Sequence, residues 1–238
     1  MSDKYHFEIS YKDLKVLFED NHLIIINKPS GVLVQPDKQK GDTSLEDLTK
    51  EYVRVKYNKP GEAFIGVCHR IDRPVSGIVV LARTSKALAR VNEMFQKKEI
   101  KKTYWAVVQS PPPSKEGKLI NWLKKDERHN ISKAYSTEVK GSLRCELDYK
   151  WLASSDNYYL LEVNPHTGRH HQIRVQLSNM GCPIKGDVKY GARRGNRDGS
   201  IHLHARKIEF MHPIKKELLT ITAPVPNEVV WQAMGANL

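Results

Sequence analysis

The sequence holds no long apolar run. Its longest stretches, such as Leu23–Ile26 and Ile78–Ala82, fall far short of the roughly 20 residues a membrane-spanning helix needs. The opening Met1-Ser2-Asp3-Lys4-Tyr5-His6 lacks the apolar centre of a secretory signal, so a cytoplasmic protein is expected. Cysteine is scarce too. Cys68, Cys145 and Cys182 are odd in number and widely separated, which argues against a disulfide framework or a Cys-x-x-Cys metal knuckle and predicts reduced thiols. The histidines form no metal-binding pattern: His170-His171 are adjacent and His202-Leu203-His204 alternates, and neither spacing matches His-Glu-x-x-His. No metal is expected. Gly/Ser linkers, low-complexity tracts and repeat periods are missing as well. A single domain over residues 1–238, with its core at about 14–226, is the economical reading.

What is present is positive charge. The chain has 39 Lys and Arg against 27 Asp and Glu, a formal charge of +12, and such an excess favours a polyanionic partner, nucleic acid ahead of a membrane surface. Short β-rich runs dominate: Leu14–Phe18, His22–Asn27, Ile78–Ala82, Tyr104–Val108 and Tyr158–Val163. Cys145, Leu147, Tyr149 and Trp151 alternate with Arg144, Glu146, Asp148 and Lys150, the period of a half-buried strand in an antiparallel sheet. Helices are fewer. One is predicted to start at Thr43, where Thr43-x-x-Glu46 forms a capping box and Leu45, Leu48, Tyr52 and Val55 fall on one face. A second starts near Thr84 or Ser85, turns Leu88, Val91 and Phe95 inward, and ends in Lys97, Lys98, Lys101 and Lys102. A third follows Gly168, with Ile173, Leu177 and Met180 on its buried face and Gly181-Cys182-Pro183 ending it. Strands and helices without strict βαβ alternation indicate an α+β fold: a mixed, mainly antiparallel sheet with flanking helices.

Two segments could carry chemistry. In Cys68-His69-Arg70-Ile71-Asp72-Arg73-Pro74-Val75-Ser76-Gly77, Asp72 stands between two arginines on a turn leading into an apolar strand, and so should be negatively charged at neutral pH and able to act as nucleophile, base or electrostatic stabiliser. Taken alone, a surface Arg–Asp pair is the commoner explanation. The kinase His-Arg-Asp loop does not fit, since Ile71 separates Arg70 from Asp72 and no Asp-Phe-Gly follows. The second segment, Asn164-Pro165-His166-Thr167-Gly168-Arg169-His170-His171-Gln172-Ile173-Arg174, crowds cationic side chains into one loop and helix start, where an anionic ligand or a carboxylate would satisfy them.

Together these segments resemble the RluA-type pseudouridine synthases, whose catalytic loop reads His-Arg-Leu-Asp-x-x-Thr-Ser-Gly and whose later motif reads Gly-Arg-x-His-Gln-Ile-Arg. Asn27-Lys28-Pro29-Ser30-Gly31, Lys102-Thr103-Tyr104-Trp105-Ala106-Val107-Val108, Gly186-Asp187-x-x-Tyr190-Gly191 and the tail from Leu203 through His212-Pro213 to Ala223-Pro224 extend the likeness. It runs from Val16 to Pro226. The resemblance implies the pseudouridine synthase fold with its catalytic cleft, in a member without an S4 domain. It further implies Asp72 as the catalytic aspartate, Arg174 as the residue that pairs with it, and Tyr104 as the ring against the target base. Arg70 would enter the RNA stack vacated by a flipped uridine. Arg73, Lys102, Arg169 and His171 are the other expected RNA contacts. Lys97 to Lys102, Lys124, Lys125, Arg128, Arg193, Arg194 and Arg197 are further candidates for phosphate.

Two positions depart from the family pattern. Val75 replaces the usual Thr, keeping the β-branched shape without the hydroxyl, and Gln176 stands where His is frequent. The reaction implied, isomerisation of uridine to pseudouridine in a ribosomal or transfer RNA stem-loop, needs no cofactor or group donor, and a monomer suffices for it. The alternative from composition alone is a non-catalytic RNA-binding or chaperone protein. A metal-assisted nuclease stands well behind, for want of a carboxylate cluster.

Overall fold

The computed structural model describes residues 9–37 and 42–235; the Met1–His6 segment considered above lies outside them. In chain order the elements are β1 (Lys15–Glu19), β2 (Leu23–Lys28), α1 (Leu45–Lys56), β3 (Gly66–Val67), β4 (Ser76–Ala82) and α2 (Ser85–Gln96). Then come β5 (Lys101–Val108), β6 (Glu116–Asp126), β7 (Ile131–Tyr135), β8 (Leu143–Ser154), β9 (Tyr159–Pro165) and α3 (Gln172–Asn179). The chain finishes with β10 (Leu203–Met211), β11 (Leu218–Thr222) and α4 (Val229–Gly235). The α+β class is as expected, and the strands pair antiparallel within each of the two compact units into which the chain divides.

Unit one comprises residues 1–100 and 205–224. Its centre is β4, all of whose residues are buried, which explains why Ser76–Ala82 reads as a continuous apolar run and not as an alternating one. β2 lies beside β4 with Asn27 opposite Ile78 and Lys28 opposite Gly77. Gly77 has φ +112, and a Cβ there would sit 2.5 Å from the Ala205 nitrogen. Only glycine allows the backbone of Ala205 so close.

Two of the expected helices belong to this unit. α1 starts one residue later than predicted. Ser44, not Thr43, is its N-cap: Ser44 Oγ accepts from Asp47 N at 3.2 Å while Asp47 Oδ2 accepts from Ser44 N at 3.1 Å. Thr43-Ser44-Leu45-Glu46-Asp47 offers two overlapping capping boxes. The second is selected because Leu33 and Val34 carbonyls accept from the otherwise orphaned Leu45 and Glu46 N–H groups at 2.8 and 3.1 Å. Its buried face is Leu45, Leu48, Thr49 and Val53, so Val55, expected inside, is 46% exposed. α2 begins as expected, with Thr84 Oγ1 accepting from Ala87 N. Its deepest residues are Ala87, Val91 and Met94, with Leu88 and Phe95 half-buried beside them.

Unit two comprises residues 101–204 and 225–238. Its strands run in the order β5, β9, β8, β6, β7, so β6 is interior and β7 is an edge. The alternation in β8 is as predicted: Cys145, Leu147 and Tyr149 are buried. Leu123, Cys145, Val175 and Tyr190 form one core cluster, which packs α3 on one face of β6, β7 and β8. A second cluster joins Trp105, Val107 and Leu160 to Trp231 and Met234 of α4, a helix the sequence pattern did not indicate.

Candidate active site

Asp72 lies on the β3–β4 loop in unit one, in a turn closed by Val75 N donating to Asp72 O at 3.0 Å. The expectation of a turn feeding an apolar strand is met. Val75 is 1% exposed, so the missing hydroxyl is consistent with a site where a polar group would need a partner. His69 Nε2 accepts from Val80 N at 3.0 Å, which ties the start of the loop to β4.

A clamp built from the Asn27–Gly31 turn holds the residue next to Asp72. Gly31 N donates to Arg73 O at 2.8 Å, and Arg73 Nε donates back to Gly31 O at 2.8 Å. Gly31 has φ +88, a conformation natural to glycine. Lys28, completely buried, directs Nζ at the carbonyls of Pro29 (2.8 Å), Val32 (2.8 Å) and Arg73 (3.2 Å). Three acceptors match the three N–H bonds of an ammonium. Burial pulls Lys28 down to about 7; the negative charge of Asp72 opposes that shift and the positive charge of Arg73 adds to it. The neutral amine has only two N–H bonds, so its formation leaves one of the three carbonyls without a donor. The sequence alone leaves Lys28 undecided; a lysine closing a strand that opens with the apolar run Leu23–Ile26 and followed by Pro-x-Gly is the signal it carries.

The arginines flanking Asp72 differ. Arg70 is exposed, with Nη1 donating to Gln35 Oε1 at 3.1 Å. Arg73, expected to face RNA, is engaged inside its own unit: besides the Gly31 bond, its Nη1 meets Asp42 Oδ2 at 2.9 Å. Its visible work is to hold the loop.

In unit two, Tyr104 sits half-buried on β5 opposite Val163 of β9. Lys102, two residues earlier, is also half-buried, and burial draws its ammonium below the usual lysine range. Its Nζ would lie 3.9 Å from a Cβ placed on Gly168, so Lys102 and the Gly168-Arg169 turn are neighbours. Gln172 organises that turn. Its Oε1 accepts from Thr167 Oγ1 (2.7 Å) and Arg169 N (3.0 Å), and its Nε2 donates to Glu146 O (3.1 Å). Arg169 remains exposed. His171 takes φ +53, immediately before α3, and its Nδ1 lies 2.8 Å from Tyr190 Oη. That hydroxyl accepts from Ser132 N at 2.8 Å, which leaves its proton available to His171.

Arg174 forms a bidentate pair with Asp187, Nε to Oδ2 at 2.7 Å and Nη2 to Oδ1 at 2.8 Å. The side chains are 6% and 1% exposed, and the guanidinium carbon stands 5.1 Å from the Tyr190 ring centroid. The motif Gly186-Asp187-x-x-Tyr190 thus supplies both the carboxylate and the ring that fix Arg174. Asp187 is a partner of Arg174 that the sequence pattern does not indicate. Gln176, at the other departure from the family pattern, donates through Nε2 to Leu119 O (3.2 Å) and Asn121 Oδ1 (2.9 Å), tying α3 to β6. No group of three or more metal-type ligands occurs among the described residues, and none of their helices is long and apolar enough to cross a membrane.

Comparison with known proteins places these elements in a family context. Residues 22–179 match the family model described as RNA pseudouridylate synthase. The chain is 30% identical over 239 residues to tRNA pseudouridine synthase C of Haemophilus influenzae, covering 93% of this chain and 96% of that one. It is 33% identical over 218 residues to ribosomal large subunit pseudouridine synthase C of Buchnera aphidicola, covering 89% and 67%. Among solved structures, human RNA pseudouridylate synthase domain containing 4 aligns with a TM-score of 0.75 at 25% identity, covering 91% of this chain and 90% of that one.

Proposed function

The chain belongs to the RNA pseudouridylate synthase family, and from that premise we propose that it isomerises particular uridines of structured ribosomal or transfer RNA with Asp72 as the catalytic carboxylate. As an enzyme of this family it is an isomerase acting on RNA. The observation that carries the role of Asp72 is its setting: the carbonyl of the next residue, Arg73, is held at once by Gly31 N and Lys28 Nζ. A carboxylate on a loop so fixed keeps one position, which a reaction at a single sugar carbon requires.

In the reaction the N1–C1′ bond of uridine breaks, the uracil turns over, and a C5–C1′ bond forms. The C5 proton leaves and N1 ends protonated, so no donor or oxidant is consumed. Asp72 acts at the sugar by attack on C1′ or by removing the C2′ proton. Deuterium at C2′ separates the routes, because only the second breaks that bond. A target within a stem must first be flipped out. Arg70, exposed on the same loop, suits the vacated stack; Tyr104 is assigned to pack the base and Arg174 to bring positive charge to the reaction. Lys102, Arg169 and His171 are assigned to RNA. The relatives named for tRNA and for the large ribosomal subunit leave these two RNA classes as the proposed substrates, met by a monomer in the cytoplasm. The test is Asp72→Asn assayed for pseudouridine on total tRNA and ribosomal RNA lacking the modification. Turnover should vanish while RNA binding persists; appreciable isomerisation by the variant would overturn the assignment.

A further inference from the structure

The face of unit two opposite α3 carries a second arrangement of charge and rings. Side chains alternate along a strand, so with Leu123 and Cys145 in the core under Val175, Trp122, Lys124 and Arg144 point the other way. The register aligns them. Trp122 on interior β6 has Tyr135 of β7 on one side and Arg144 of β8 on the other. One step along, Lys124 stands directly opposite Lys133, and Ile120, one step the other way, is 47% exposed.

This arrangement is costly for the fold itself. Like charges directly opposite on an antiparallel ladder repel, and neither Lys124 nor Lys133 makes an ion pair among the described residues. Both are exposed. The rings of Trp122 and Tyr135 are half-buried, yet neither the indole N–H nor the phenol O–H has a hydrogen-bond partner among those residues. Lysine on an edge strand deters unwanted strand pairing, which accounts for Lys133 but not for Lys124 on the interior strand, nor for the two rings.

We propose that Trp122, Tyr135, Lys124 and Lys133, beside an Arg144 that is paired with Glu146 at 2.8 Å, form a platform for an unpaired segment of the substrate RNA, the rings stacking on bases and the lysines meeting phosphates. Any base has a face to stack, and a strand of phosphates complements the lysine pair. The reading rests on RNA being the substrate. It adds a contact that would extend recognition beyond the target uridine.

The experiment uses the full chain carrying Asp72→Asn, so that no turnover occurs, and a fluorescent single-stranded RNA of mixed sequence whose anisotropy reports binding. Lys124→Glu with Lys133→Glu should weaken binding at least tenfold and flatten its salt dependence by about one to two counterions. Trp122→Leu should weaken it about tenfold with the salt dependence unchanged. A probe carrying 5-iodouridine should crosslink to Trp122 or Tyr135 under ultraviolet light, which needs no substitution in that sheet. Parent-like binding by both variants, or crosslinks only elsewhere, overturns the platform and leaves the proposed activity standing. Failure of the parent to bind any RNA overturns both.

Discussion

The Asp72 loop and the Arg174 helix both fix a charged group, and they do so by opposite means. Around Asp72 the work is distributed: Lys28, Gly31 and Arg73 exchange hydrogen bonds with backbone carbonyls, so several modest interactions share the load. Around Arg174 much of it is concentrated in a buried bidentate pair with Asp187. A distributed clamp loses function before it loses stability, because one missing bond shifts the loop while the rest persist. A concentrated pair loses stability first, because removing Arg174 leaves Asp187 a buried carboxylate without its guanidinium.

The largest effect is expected on the concentrated side. Arg174→Met should destabilise the protein by about 3–5 kcal/mol in urea titration, and adding Asp187→Leu should recover most of that loss; no recovery would show that Arg174 matters for something other than its partner. Next comes Gly77→Ala, which places a methyl against the Ala205 backbone at a positive φ. A loss of about 2–3 kcal/mol is expected, and a neutral outcome would mean the β4–β10 contact gives way easily.

Lys28→Met is placed third, at about 1–3 kcal/mol, from carbonyls left without their donor. It carries a pH signature whose sign follows from the lowered value of about 7. Below about pH 7 the lysine is protonated in both folded and unfolded chains and its burial cost is fully present. Above that, up to the ordinary lysine range, the unfolded chain binds the extra proton, so stability rises with pH. The wild type should therefore gain stability relative to Lys28→Met between pH 7 and 10. Parallel curves would show that the lysine is not shifted. Smallest in stability is Arg73→Ala, about 1 kcal/mol or less because its pair with Asp42 is partly exposed. Turnover should nevertheless fall about tenfold through displacement of the loop; a fall no larger than the change in stability would dissolve the contrast between the two regions.

Much of this was legible in the sequence because it depends on local pattern. The strands at Ile78–Ala82 and Cys145–Trp151 follow from apolar runs and alternation, and the cap at Thr84 from a single side chain. The misread features all need distant chain. The start of α1 is decided by the Leu33 and Val34 carbonyls, and Val55 is left out because the face that packs is the one carrying Leu45, Leu48, Thr49 and Val53. α4 is short and held by Trp105 and Leu160, which no local period reveals. At the site, the motif containing Asp72 was visible, but the clamp through Lys28 was not, since its meaning lies in three carbonyls it reaches only after folding. Asp187 stayed hidden as a partner of Arg174 for the same reason.

The close approach of Gly77 to Ala205 has a consequence for how the protein is made. Unit one is discontinuous in the chain: the strand that leaves the Asp72 loop packs on backbone that the ribosome adds more than a hundred residues later. Residues 101–204 can meanwhile begin to settle among themselves. The carboxylate on which activity is proposed to depend therefore gains its full support only once β10 has been made, and a chain that stops short of it would carry the motif without the enzyme.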